Sequence, residues 1–294
     1  MAAEMYSIKD LENLSGIKAH TIRIWEKRYG IVQPGRTDTN IRYYTNGDLR
    51  RLLNISMLTQ HGFKISAVSQ MPEHEIAQKV AGLSISNHPD LYMDSLLLSL
   101  IDLDEHVFNK TFLEILMAEG FENAIIKFIF PFFHRIGIMW QIGTITPAQE
   151  HFISNLIRNK IIVATERISR VADPEQGTVL LFLPENELHE ISLLFYNYVL
   201  RARGYKTIYL GLSVPYQDLE RIMTICDFRF IITNLTNPLQ EEDFTRLCQQ
   251  ICLAAAGKTV YITGPIPDHF SGHMPENGFL KKDLLAKLNM EEFV

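Results

Sequence analysis

Long hydrophobic runs are missing from this 294-residue chain. Its greasiest stretches, FIFPFF, TVLLFLP and FRFIIT, are short and interrupted, which excludes a helical membrane span of about 20 apolar residues. The start, MAAEMYSIKD, has no basic segment followed by an apolar one, so no secretory signal is read there and a cytoplasmic location is expected. Cysteine is scarce. Cys226, Cys248 and Cys252 are too few, and odd in number, for a disulfide scaffold, and they suit a reducing compartment. The Cys248/Cys252 pair has helical i,i+4 spacing but no second ligand pair, so packed thiols are expected rather than a metal centre.

What is present is an ordinary globular balance, 47% hydrophobic and 21% charged, on a length that suits two to three domains. The formal charge of −6 is unevenly spread. Residues 1–72 hold 10 Lys/Arg against 6 Asp/Glu, leaving 18 against 28 for the remainder. A basic head on an acidic body is the pattern of a nucleic-acid reader joined to a module with another task.

Three textures follow one another. Residues 1–72 alternate short helical patterns with the turn-rich QPGRTDTN, and residues 73–90 read as a linker around one short helix. Over 91–172 the apolar spacing is purely helical: Leu91, Leu97, Leu98 and Ile101, then Phe108, Phe112, Ile115 and Leu116, then Ile125, Phe128, Ile129 and Phe132. A last segment starts at Pro147 and runs through Phe152, Leu156, Ile157 and Ile161. Four amphipathic helices with short connections predict a four-helix bundle. Over 173–294, the β-rich runs TVLLFLP, YKTIYLG, FRFIITNL and TVYITGP alternate with helical stretches. A faint fifth run lies near Gly278–Leu280. That alternation predicts a parallel sheet covered on both faces. The chain is therefore read as multidomain α and α/β.

In the head, YSIKDLENLSGIKAHTIRIWEKRYG reads as helix, turn, helix. Ile8, Leu11 and Leu14 form the first apolar stripe, Ser15-Gly16 the turn, and Ile22 with Trp25 the buried face of the second helix. Thr21, Arg23, Lys27 and Arg28 are left facing outward, as a helix entering the major groove requires. PGRTDTNIRYY becomes a hairpin wing offering Arg36, Arg42 and Tyr43 to phosphates. This segment, with the following IRYYTNGDLRRLLNISMLTQHGFKISAVSQM, resembles the winged helix-turn-helix of the MerR family over residues 5–71. The resemblance implies double-stranded DNA with a palindromic operator as partner, and self-association as a dimer or tetramer. Typical members dimerise through one long C-terminal helix. None is visible here, so assembly falls to the other regions.

Two constellations stand out behind the head. Trp140 is followed ten residues later by Glu150-His151. Glu187-Leu188-His189 directly follows the run TVLLFLP, at the carboxyl end of a parallel strand, the usual ligand edge of such a sheet. An imidazole there can ligate a metal with an acidic neighbour fixing its tautomer, and Glu190 is expected to assist from outside the site. Taken singly, a histidine at a strand-helix turn is more often a cap or a surface group, and Trp140 reads as core rather than a cofactor lid. In this order they resemble the cobalamin-binding MerR regulators of the CarH/LitR type, across the whole chain.

The resemblance implies a Rossmann-like (flavodoxin-like) cobalamin domain over 173–294, with adenosylcobalamin as cofactor. It places Trp140, Glu150 and His151 over the upper face. His189, with Glu187, becomes the lower cobalt ligand, and His151 an upper ligand once light has cleaved the cobalt–carbon bond. It further implies a repressor whose oligomeric state and DNA affinity follow the cofactor and light. Departures leave a second reading open. Ser192 stands where the family has glycine, Thr233-Asn234-Leu235 where it has Ser-x-Leu, and Thr263-Gly264-Pro265 where it has Gly-Gly. Each added side chain takes up space beside the cofactor's nucleotide tail. A regulator with a degenerate domain, acting without cofactor through dimerisation or a protein antagonist, is that alternative. A cobalamin enzyme would need a substrate barrel or an activation module, for which the chain has no room.

Overall fold

A computed structural model describes residues 5–37, 39–83, 89–141, 145–236, 240–255, 257–264, 270 and 274–280. The chain divides into two units, Met1–Leu156 and Ile157–Val294.

In the first unit, α1 (Ile8–Ser15) begins with a reciprocal cap. The Ser7 N–H donates to Asp10 at 2.7 Å and the Asp10 N–H to the Ser7 hydroxyl at 3.2 Å. It ends at Gly16, whose φ of 71° closes the helix in the left-handed region. α2 (Ala19–Tyr29) has no side-chain cap from its own N-cap residue. Glu12 of α1 supplies one across the turn, accepting from the Ala19 N–H at 3.2 Å while pairing with Lys18 at 3.1 Å. Those two partners, Lys18 foremost, hold the Glu12 carboxyl below its ordinary value.

The wing is β1 (Gly35–Arg36) antiparallel to β2 (Arg42–Tyr43). Tyr6 and Tyr44 exchange backbone hydrogen bonds at 2.8 and 2.9 Å, pinning the chain's start to the wing's end. α3 (Asn46–Gln60) opens with a second reciprocal cap between Thr45 and Asp48, and the short α4 (Ile65–Val68) follows. Leu11, Leu14, Ile22, Leu49, Leu52 and Leu53 are fully buried, so the expected stripes converge on one small core.

α5 (Glu73–Ala81) leads to the helical segment: α6 (Pro89–Asp102), α7 (Glu105–Glu119), α8 (Phe121–Ala124), α9 (Phe130–Gln141) and α10 (Pro147–Glu166). The linker residues 84–88 lie outside the described residues. Apolar spacing predicts four helices, and α8 and α9 are one continuous helix. A π-turn over Ile125–Ile129 joins them, a local widening that the apolar spacing does not reveal. α10 starts behind Thr146, which shares a reciprocal cap with Gln149, with Pro147 in the first turn. Phe108, Ile115, Ile125, Ile129, Phe132 and Ile153 are fully buried. Two polar contacts tie the head to this segment. Arg135 of α9 donates to the Leu14 carbonyl at 2.8 Å, and Arg50 of α3 pairs with Asp102 at 2.5 Å.

The second unit is a five-stranded parallel sheet. β3 (Thr178–Pro184), α11 (Ile191–Ala202), β4 (Lys206–Val214), α12 (Tyr216–Ile225), β5 (Phe230–Asn234), α13 (Glu241–Ala254), β6 (Thr259–Thr263) and β7 (Gly278–Leu280) alternate. The spatial order is β4-β3-β5-β6-β7. Every pair is parallel, and the expected fifth strand is the edge β7. The order is flavodoxin-like, because the chain leaves β3 for one neighbour and returns to the other side, which makes β3/β5 the topological switch point. Side chains of one sheet face, Leu180, Phe182, Ile231, Val260 and Ile262, pack with Phe244, Cys248, Ile251 and Cys252 of α13. Among the described residues, no helix is long and apolar enough to cross a membrane.

Two expectations follow. Burial pushes the Cys248 thiol up to about 12, helped by Cys252, and lifts Cys252 to about 11. At pH 8 a maleimide should therefore modify only the half-buried Cys226 of the folded chain, with all three modified after denaturation, as peptide mass spectrometry would show. Two glycines should also differ. A Cβ on Gly264 (φ 111°) would lie 1.7 Å from the Leu235 carbonyl oxygen, whereas one on Gly16 meets nothing within 4 Å. Gly16→Ala should cost about 1 kcal/mol, and Gly264→Ala about 3 kcal/mol or more, read as separate falls in melting temperature.

Candidate functional site

The head presents the division of faces that its sequence implies. Ile22 of α2 is fully buried, and Arg23, Lys27 and Arg28 are exposed. Trp25 and Thr21 are half-buried, so Trp25 contributes less to the core than its place in the apolar stripe implies. Arg28 lies over the Tyr29 ring, 5.6 Å from its centroid. On the wing, the Arg36 guanidinium donates to the Asn40 side chain at 2.6 Å. The Tyr43 ring covers Gly35 so closely that a Cβ there would come within 2.3 Å of it.

Glu26 is the residue that sequence reasoning missed. From α2 it pairs with Arg42 at 3.5 Å and accepts from the Tyr44 hydroxyl at 3.2 Å, fixing the wing to the second helix. Burial, and then Glu26, push the Tyr44 hydroxyl up to about 12, so it remains a donor throughout the neutral range. The only sequence signal for this role is an acid within a basic stretch.

Elsewhere in the first unit, Trp140 closes α9 with half of its surface exposed. Glu150 and His151 sit in the first turns of α10, where the His151 Nδ1 lies 2.8 Å from Glu150. The other Glu150 oxygen takes the Ser154 hydroxyl. His151 is 72% exposed.

In the second unit, the loop after β3 is organised by Glu187. Its Oε1 accepts from the backbone N–H groups of Leu188 at 2.9 Å and His189 at 3.0 Å, and from the His189 Nδ1 at 2.7 Å. Its Oε2 accepts from the Thr236 N–H, just past β5, at 2.9 Å. Burial alone would raise this carboxyl; the Thr236 and His189 donors outweigh it and hold the group below its ordinary value. A carboxylate only accepts, so Nδ1 carries a proton, and in the neutral ring Nε2 is the nitrogen left with a lone pair. The His189 side chain is 57% exposed.

Glu190 departs from expectation. It turns away to pair with Arg158 of α10 and to accept from the Tyr209 hydroxyl of β4 at 2.8 Å. It braces the far end of the loop and does not assist the imidazole.

The residues at the positions that depart from the family pattern, and their neighbours, are placed as follows. Ser192 is half-buried in the first turn of α11. Thr233 is fully buried, and its hydroxyl has no partner among the described residues. Thr263 is 2% exposed, and its hydroxyl donates to Asn234 at 2.7 Å. Leu235 is buried, and its N–H donates to the Thr263 carbonyl at 2.9 Å. Gly264 packs so tightly on Leu235 that no side chain fits, and Pro265 lies outside the described residues. Among the described residues, no group of three or more His, Cys, Asp or Glu could hold a metal ion. The donor set at His189, one neutral imidazole with its second nitrogen anchored, fits a metal that arrives in its own macrocycle and needs one axial ligand.

Residues 6–75 match the family described as MerR HTH family regulatory protein, and residues 92–164 the B12 binding domain. The chain is 30% identical over 262 residues to the HTH-type transcriptional repressor CarH of Myxococcus xanthus, covering 85% of this chain and 87% of that protein. It is 23% identical to the repressor CarA of the same organism, covering 87% and 85%. It is 32% identical over 85 residues to the Escherichia coli regulator ZntR, covering 27% of this chain and 60% of that protein. The fold is similar to that of the Methanosarcina barkeri monomethylamine corrinoid protein, with a TM-score of 0.51 and 15% identity over 66% of this chain and 94% of that one. With a MerR head and a B12 binding domain matched in order, and a 30% identical relative covered along most of its length, the chain belongs to the MerR-type transcriptional regulators that carry a cobalamin-binding region, the CarH-like family.

Proposed function

We propose that this protein is a cytoplasmic one-component repressor, not an enzyme, whose assembly and DNA affinity follow adenosylcobalamin and light. Residues 1–72 are its DNA reader, 73–90 the linker, 91–172 the helical cover and 173–294 the corrinoid domain. The observation that carries the reading is the geometry of His189, with Nδ1 locked to Glu187 at 2.7 Å and the ring exposed at the carboxyl edge of the sheet. His189 is then the lower cobalt ligand, and Trp140, Glu150 and His151 are the upper-face residues. Bound there, the corrinoid supplies a cobalt centre whose upper bond is light-sensitive. The chain's own residues orient it, cover it and replace its intrinsic base.

Thr21, Arg23, Lys27 and Arg28 of α2 enter the major groove, while Arg36, Arg42 and Tyr43 meet phosphates along the wing. Dimers or tetramers place two heads on a palindromic operator. Binding to duplex DNA should weaken with salt at a log–log slope of about −0.9 per phosphate neutralised. Arg42→Ala should weaken all duplexes about equally, and Arg23→Ala should change the preferred sequence, both read by affinity selection from a random duplex pool. Salt-independent binding would overturn the assignment of this face.

The cofactor assignment is tested by titrating the full chain with adenosylcobalamin in the dark, following the visible spectrum and the elution volume. A shifted spectrum and a larger assembly that reverts on illumination are expected. His189→Ala should lose the shift or bind at least about tenfold more weakly. An unchanged spectrum in that variant would make His189 a turn residue. No uptake by the wild type would favour the cofactor-free regulator. In that case a Ser192→Gly, Thr263→Gly double variant that does take up cobalamin would locate the obstruction in the altered glycine positions.

A further inference from the structure

The sheet register pairs Asn234, the last residue of β5, with Thr263, the last of β6. Their side chains therefore leave the same face at the carboxyl edge. The Thr263 hydroxyl donates to Asn234 Oδ1 at 2.7 Å, and Asn234 Nδ2 donates to the Thr236 hydroxyl at 2.9 Å. The Thr236 N–H donates to Glu187 Oε2 at 2.9 Å, and Glu187 Oε1 takes the proton of His189 Nδ1 at 2.7 Å. Thr263, Asn234 and Glu187 are buried to 2%, 4% and 6% exposure. An unbroken line of hydrogen bonds thus crosses the ends of β6, β5 and β3 and finishes on the imidazole.

We propose that Thr263, Asn234 and Thr236 are positioning residues for His189, acting through Glu187; this rests on the reading of His189 as a cobalt ligand. Each link constrains the next. In a buried site an amide oxygen deprived of its donor is costly, so loss of the Thr263 hydroxyl frees the Asn234 amide to turn. Thr236 then loses the partner that aims its N–H at Glu187. A carboxylate held at one oxygen only can rotate, and the imidazole it orients rotates with it. In this chain the threonine in a glycine's place is a support for the axial ligand and not an obstruction beside it. The two roles give opposite outcomes on removal. A support, once removed, loosens His189, whereas an obstruction, once removed, improves cofactor uptake.

The test uses the full chain with three substitutions. Thr263→Val keeps the shape and deletes the hydroxyl, Thr263→Ser restores it, and Thr236→Val breaks the line at an exposed loop residue whose replacement does not threaten folding. Nitrogen-15 spectra of the His189 ring in the cofactor-free protein, assigned by their loss in His189→Ala, report the tautomer directly. The wild type and Thr263→Ser should show one species protonated at Nδ1, and Thr263→Val and Thr236→Val a mixture. Adenosylcobalamin should bind about tenfold more weakly to both valine variants and within about twofold of wild type to Thr263→Ser. A single Nδ1-protonated species in both valine variants, or tighter cofactor binding by Thr263→Val, overturns the proposal. Should the wild type take up no adenosylcobalamin, the ring spectra still decide whether the line of bonds orients His189, and the cofactor reading fails by itself.

Discussion

One carboxylate joins the working parts of the second unit. Glu187 collects four N–H donors from two loops that are 49 residues apart in sequence. The parallel sheet makes this meeting unavoidable. β3 is the strand the chain leaves first and β5 the one it comes back to, so their carboxyl ends lie side by side at the switch point. A buried carboxylate must find donors or lose far more in desolvation than a neutral group would. The donors it finds are the turn's own backbone, the imidazole and the neighbouring loop. The position of the candidate ligand is therefore a property of the sheet order as much as of the residue.

The head uses acids in the same way, at the surface. Glu12 reaches across the turn to cap α2, and Glu26 ties Arg42 and Tyr44 of the wing to it. Each lowers the net positive charge that attracts DNA. In return the second helix and the wing keep a fixed relation, and in a DNA reader geometry decides which phosphates and bases a cation can reach. A head of 10 basic and 6 acidic residues is thus no diluted version of a more basic one.

How much of this was legible in the sequence depended on pattern length. The strands over 178–184, 206–214, 230–234 and 259–263 announce themselves as apolar runs, and the helices by their spacing, because burial repeats along them. The three-residue β7 gave only a faint trace, being too short to carry a period. Glu187 and His189 were readable because they are two residues apart and directly follow a strand. Glu190 looked like their helper by adjacency and instead pairs with Arg158 and Tyr209, 32 and 19 residues away, partners that no local pattern can reveal. Thr263 could be recognised as an unusual substitution. Its bond to Asn234 could not, since it follows from strand register, which is settled only when the sheet assembles.

The π-turn at Ile125–Ile129 has a bearing on Trp140. An α-helix advances by roughly 100° per residue, and a π-turn amounts to one inserted residue within an otherwise regular ladder. The direction in which the indole leaves α9 is accordingly decided more than ten residues upstream. Excising a single residue from that turn would restore unbroken α geometry and leave Trp140 near its present azimuth, whereas straightening the turn with every residue kept would swing each later side chain of the helix by about a quarter of a revolution, without altering a residue near Trp140.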